Sequence, residues 1–209
     1  MFEELGITEV IDKATRQDPE MRIVTAGHAV KAMVLNGLGF INQQLYLVPH
    51  FFQNKPISRL IAPGIEASHL HDDTLGRALD TLYDFGVTEI YCLIATTAAA
   101  RLGLTPTFSH LDTTSFHVDG RYNSEKAPDE RVVHITHGYS RDHRPDLNQV
   151  MLELVVEHQA GIPVLMQPLS GNSHDGTAFG QVVSDHIAQL HTSANPAYLD
   201  SIGKCIFSH

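Results

Sequence analysis

The chain has 209 residues, 43% of them hydrophobic, and a formal net charge of −10 at pH 7. That length supports one or two domains with buried cores. The acidic excess, 12 acidic against 8 basic side chains up to residue 105 and 12 against 6 beyond it, excludes a broad nucleic-acid surface, because phosphate contacts rest on clustered Lys and Arg. Any contact with DNA therefore requires a local basic patch or a bridging metal.

No apolar run approaches the ~18–20 residues that span a bilayer. The opening MFEELGITEV is acidic and unlike a signal peptide. Cys92 and Cys205 stand far apart and outside any C-x-x-C spacing, which fits a reducing compartment. A cytoplasmic location is the expectation.

The first half reads as helical. In GHAVKAMVLNGLGFINQQLYLVPHFF, Val30, Val34 and Leu38 recur every four residues, with Met33 and Ile41 on the same side. The pattern predicts an amphipathic helix, weakened near Gly37 and Gly39. Pro49 and Pro56 then punctuate a loop region. DDTLGRALDTLYDFG predicts a helix capped by Asp72 and Asp73, carrying Leu75, Leu79 and Leu82 and ending at Gly86. VTEIYCLIATTAAARLG predicts another, with Thr88 as N-cap and Gly103 as terminator.

Near Thr105-Pro106 the period changes from helical to strand-like. TFSHLDTTSFHVDG reads as a strand and RVVHITHGYS as a second extended segment. QVMLELVVEH and IPVLMQPLSG, joined through QAG, form a hairpin candidate. Residues 176–191 return to a helix with Phe179, Val182, Val183, Ile187 and Leu190 on one face. The order predicts an α+β chain, a helical module over 1–105 followed by an α/β module over 106–209. Beyond His191 the patterning lapses, and a sheet that stops after one helix leaves apolar surface uncovered. The chain is expected to be cut short.

Asp112 is the first residue that looks chemical, a carboxylate among the β-formers Thr113, Thr114, Phe116 and Val118. Two readings stand. It is a surface aspartate hydrogen-bonded by Thr113, Thr114 or Ser115, or it holds a hard divalent cation on a strand. Fourteen histidines invite a metal reading too. His69 pairs with His71 and His134 with His137 in sequence, and His110 shares a strand face with Asp112. No specific ligand motif accompanies them, and scattered surface histidines are the alternative. HGYSRDHRPDLNQV is either a solvated loop or a positioning loop. In the second case Arg141 and Arg144, with His143, hold phosphate or steer Asp142 and Asp146. SGNSHDG has the chemistry of a turn and helix cap, with Asp175 near the next N-terminus. Nucleotide-loop and hydrolase-elbow motifs do not occur.

Two stretches, HLDTTSF and HGYSRDHRPDLNQVMLELVVEHQAGIPVLMQPLSGNSHDG, closely resemble insertion-sequence transposases of the DDE type, the IS-four-like group. In that family a ribonuclease-H-like domain opens with D-x-T, runs through G-Y-S-x-D-x-R-P-D-L and a hairpin, and reaches G-N-x-x-D. GHAVKAMVLNGLGF, LYLVPHFF and LHDDTLGRALDTLYDFG look like the helical domain of one branch of that group. The resemblance covers roughly residues 5–191 and implies a partial ribonuclease-H-like domain over 106–209.

It also implies that Asp112 is the first triad carboxylate and a ligand of Mg²⁺ or Mn²⁺. Asp200, in AYLDS, lies near the second aspartate's place without the usual apolar run before it. The family's Tyr-Arg-Glu-Lys pattern has no counterpart up to His209. The resemblance implies DNA at element ends as partner, with association with itself or with an intact transposase. The expectation is a truncated, inactive copy whose ancestral activity is metal-dependent DNA cleavage and strand transfer. A non-enzymatic DNA- or partner-binding fragment is the second reading. A metal-dependent phosphohydrolase using Asp112 with His110 is the third.

Overall fold

The computed structural model describes residues 1–16, 22–38, 44–104, 109–120, 122, 132–138, 144 and 146–173. The class is α+β, a helical N-terminal part followed by an antiparallel sheet. The chain divides into two units, Met1–Arg101 and Leu102–His209. No helix among the described residues is long and apolar enough to cross a membrane. The predicted helix at 176–191 lies outside the described residues.

The first unit contains α1 (Phe2–Leu5), α2 (Ile7–Ala14), α3 (Ala26–Leu38), α4 (Val48–Phe52), α5 (Ile57–Leu60), α6 (Asp72–Phe85) and α7 (Val87–Arg101). Its core gathers Ile11, Phe52, Leu70 and Leu75 around alanines 26, 29 and 32 of α3. The face of α3 therefore differs from the expected one. Val34 and Leu38 are 38% and 63% exposed, whereas Ala29 and Ala32 are wholly buried. The reason is close approach: a Cβ on Gly27 would stand 2.6 Å from the Thr8 carbonyl oxygen. Small residues admit that backbone; Val30 and Met33 of the expected stripe pack against the core in part, and Val34 and Leu38 are turned outward.

The start of α3 is held by polar groups that its sequence neighbours do not supply alone. The Thr25 hydroxyl accepts the His28 N–H at 3.2 Å, and His28 Nδ1 accepts the Thr25 N–H at 3.4 Å. Asp12 reaches over from α2, accepting the Gly27 N–H at 2.7 Å and the Thr25 hydroxyl at 2.7 Å. Helix N-termini leave N–H groups without intrahelical partners, and these bonds satisfy them. Burial pushes the His28 imidazole below its ordinary pKa, which suits Nδ1 to accepting. Nearby, Lys31 is 7% exposed, pairs with Glu3 and donates to the Ile61 carbonyl at 3.1 Å.

Two expected caps are reassigned. Thr88 lies inside α7, because Gly86 alone separates α6 from α7. At φ 110° Gly86 donates to the Leu82 carbonyl at 3.0 Å and accepts the Ile90 N–H at 3.0 Å, closing one helix and opening the next. Asp72 and Asp73 occupy the first turn of α6 rather than its cap, where negative charge still favours the N-terminal dipole. Within α7, burial and then the Glu89 charge push the Cys92 thiol up to about 12, so it is packing rather than reactive sulfur.

The second unit contains β1 (Ser109–Val118), β2 (Asn148–Glu157) and β3 (Pro163–Ser170), antiparallel in the order β1-β2-β3. The expected hairpin is β2 and β3. Among the described residues of the segment expected as a second strand there is one bridge, Thr136 to Gln149. Along β2 every second residue from Gln149 to Glu157 is buried. Near Val155/Val156 the register with β3 slips, and consecutive Val164 and Leu165 are both buried there. Pro168 is accommodated because β3 is an edge strand among the described residues.

The β2–β3 turn is closed by Glu157, whose carboxylate accepts N–H groups from Gln159, Ala160 and Ile162 at 2.6, 2.7 and 3.0 Å. Burial raises this carboxyl's pKa, but the three N–H bonds outweigh it and hold it below the ordinary 4.5.

Two outcomes are expected. Asp12→Ala removes the acceptor shared by Thr25 and Gly27 and destabilises the chain by about 1–3 kcal/mol, read from chemical denaturation. A carboxyl with a depressed folded pKa contributes stability that is present above the unfolded pKa and lost as pH falls through the folded one. Acidification below about pH 4.5 should therefore loosen the 158–162 turn, seen as rising amide exchange after correction for intrinsic rates. Glu157→Gln should flatten that dependence.

Candidate functional site

Asp112 lies mid-strand on β1, opposite Leu154 of β2, with Met166 of β3 beyond. Alternation puts it on the face that carries His110, Thr114 and Phe116, and across the ladder Val150, Leu152 and Val156. This is the more open face of β2. The opposite face buries Gln149, Met151, Glu153, Val155 and Glu157, with Glu153 2% exposed between Thr113 and Gln167. Asp112 itself is exposed, and its Oδ1 accepts the Thr113 N–H at 2.9 Å. The local bond expected of a strand aspartate is thus present. Its strand, β1, forms an edge of the sheet among the described residues.

An exposed carboxylate is the hard oxygen donor that Mg²⁺ takes, so the residue type fits such an ion. Among the described residues, no group of three His, Cys, Asp or Glu side chains is placed to hold a metal. Asp200, Arg141 and His143 lie outside the described residues.

Arg144 is described, and its fork is engaged. Nε donates to Asp146 Oδ1 at 2.9 Å and Nη2 to Oδ2 at 2.8 Å. The Arg144 bonds hold the Asp146 carboxyl down to about 2, and the guanidinium is raised in turn. Leu147 N–H returns to the Arg144 carbonyl at 3.2 Å. Of the two roles expected for Arg144, steering Asp146 is the one seen.

The histidine pairs are used locally. His69 Nδ1 accepts the Glu66 N–H at 3.1 Å in a capping box, and His71 Nε2 lies 3.1 Å from the Thr74 hydroxyl. His134 is pinned through its backbone: its N–H donates to the Ser170 hydroxyl and its carbonyl accepts the Gly171 N–H, both at 3.0 Å.

The residue that sequence reasoning missed is Gln149. It is 1% exposed and exchanges backbone bonds with Thr136 at 2.9 and 3.2 Å, while its side-chain amide donates to the Gly171 carbonyl at 2.7 Å. Gly138 and Gly171 meet beside it. A Cβ on Gly138 would overlap the Gly171 carbonyl, and one on Gly171 would overlap the Gln149 and Thr136 carbonyls. The glycines of HGYS and SGN are therefore packing requirements. The signal was present in their shared neighbourhood with β2, but nothing in the chain order says that residues 138 and 171 touch.

Residues 1–96 match a family model described as a domain of unknown function, DUF4277. The match falls within the helical unit. No curated protein and no solved structure matches the chain.

Gln149→Leu should leave the Gly171 carbonyl without its amide donor and cost about 1–3 kcal/mol. Gly171→Val should cost at least as much through backbone overlap. Hydrogen exchange resolved by peptide is expected to show lost protection at 134–138 in both variants, with residues 1–101 unchanged.

Proposed function

We propose that these residues comprise the helical N-terminal region and the opening of the catalytic sheet of a DDE-type insertion-sequence transposase. The reaction class is metal-dependent cleavage and joining of DNA at element ends, carried out in the cytoplasm. The observation that carries this reading is Asp112: an exposed carboxylate mid-way along the first strand of an antiparallel β1-β2-β3 meander, at the edge of the described sheet. A ribonuclease-H-like domain needs a carboxylate on that strand. The Arg144–Asp146 fork and the contact of Gly138 with Gly171 give its two accompanying motifs physical roles in shaping the loops.

In this reading Asp112 holds Mg²⁺ or Mn²⁺ through a carboxylate oxygen. The bound ion supplies Lewis-acid stabilisation and water activation for phosphoryl transfer. Thr113 N–H fixes one carboxylate oxygen, which limits rotation of the ligand. The strand ladder fixes its height relative to Leu154. Asp200 is the second carboxylate in the proposal. The family's catalytic glutamate pattern is not among these 209 residues.

A second reading rests on the helical unit. It has a hydrophobic core drawn from its own helices, from Ile11 to Ile90, and so can serve as a binding module without catalysis. Its partner would be DNA or an intact transposase.

Mn²⁺-dependent water relaxation tests the first reading. The 209-residue chain is expected to bind Mn²⁺ weakly, since one or two carboxylates make a loose site, and Asp112→Asn should lose most of that signal. Equal relaxation by both proteins would remove Asp112 from any metal site and leave the binding module. Element-end DNA with Mg²⁺ should not be nicked by these residues alone, because the two-metal clamp requires the absent glutamate. A nick abolished by Asp112→Asn would show that another carboxylate completes the site.

A further inference from the structure

The helical unit holds a cavity of about 440 Å³ that the reading of Asp112 does not use. That volume lies within the range of small-ligand pockets. One wall is the segment 22–26 leading into α3; the other is a face of α6, where Thr74, Arg77, Ala78 and Thr81 recur at helical spacing. His69 and His71 close the end before α6.

The charge of this cavity runs against the chain. Arg22 and Arg77 line it, and among the described residues no Asp or Glu does, in a protein whose net charge is −10. Neither arginine makes an ion pair among the described residues. Among the described residues the Arg77 guanidinium makes one bond, a long donation to the Thr74 hydroxyl at 3.5 Å. Asp12 touches the lining residue Thr25, but it is buried and spends its oxygens on Thr25 and Gly27. Asp72 and Asp73 sit on the first turn of α6, exposed and outside the lining. Two guanidiniums with no carboxylate in the described lining, flanked by imidazoles and the Thr74 hydroxyl, form a donor set for a tetrahedral oxyanion.

We propose that this cavity is a phosphate-ester site in which Arg22 and Arg77 grip the phosphoryl oxygens. The Thr74 hydroxyl or the His71 ring, which stand 3.1 Å apart, adds a hydrogen bond, and Val24 and Ala78 offer apolar contact to the ester's organic part. The phosphoryl group belongs to a free nucleotide or to a DNA strand; the chemistry recognised is the same. The site is independent of Asp112 and of any metal.

The test uses the full chain in EDTA, with calorimetric titration of deoxyadenosine monophosphate and, separately, of a short duplex oligonucleotide. Saturable binding of at least one probe is expected. Arg77→Gln, and the pair Arg22→Gln with Arg77→Gln, should weaken it by at least about tenfold. Arg59→Gln, an exposed arginine outside the cavity, and Asp112→Asn should bind as the unaltered chain does. Both cavity arginines are exposed, so their substitution should leave the melting temperature unchanged, and that is measured alongside. Binding of the nucleotide alone assigns the site to a free ligand, and binding of the duplex alone assigns it to DNA. No saturable binding of either probe, or equal binding by the double variant, overturns the proposal. Because EDTA is present and Asp112→Asn is a control, failure here is distinct from failure of the transposase reading.

Discussion

The alternation along β2 is the constraint from which the geometry of the second unit follows. β2 is the middle strand and bonds β1 on one edge and β3 on the other, so its period of two is imposed on both neighbours. Gln149, Met151, Glu153, Val155 and Glu157 turn to the buried side, and the residues between them turn to the more open side. Asp112 inherits its face from Leu154 across the ladder. A slip of one residue would turn Asp112 to the buried side, where an ionised carboxylate is costly. The same strand bears Gln149 at one end and Glu157 at the other. One ties down the loops that carry the motif glycines, and the other closes the hairpin.

In the helical unit, close approach plays the corresponding part. Ala26, Gly27 and Ala29 keep the buried start of α3 small, which lets the helix come within van der Waals contact of the Thr8 carbonyl on α2. That proximity brings Asp12 within reach of the α3 N-terminus. Packing and capping therefore support one another here: larger side chains on α3 would push Asp12 away from the N–H groups it satisfies. The cavity lined by Arg22 and Arg77 opens beside this junction, between the entry to α3 and the face of α6.

The two proposed functions make different demands on the chain. A metal-holding Asp112 needs only a fixed strand and an open edge. A phosphate-ester cavity needs a local reversal of an acidic electrostatic background, which two arginines with no carboxylate partner among the described residues provide. An acidic protein can contact phosphate only through such focused sites. A pocket of this kind and a carboxylate-bound cation are the two devices available to it.

Composition, period and punctuation determined the class, the helical first half, the strand of Asp112 and the hairpin of β2 and β3, because these signals are local to a few residues. Gly86 as a terminator was legible for the same reason. The buried face of α3 was legible only in part: Val30 and Met33 of the expected stripe pack against the core, but Val34 and Leu38 give way to alanines where two backbones come close. Thr88 was misread because a single glycine in a left-handed φ can end one helix and start another, removing the need for a side-chain cap. The meeting of Gly138 with Gly171, the bond of Gln149 to Gly171 and the joining of Arg22 to Arg77 in one cavity were decided only by tertiary structure. Each brings together groups whose contact depends on how the intervening chain folds, and residue type and spacing do not encode that distance.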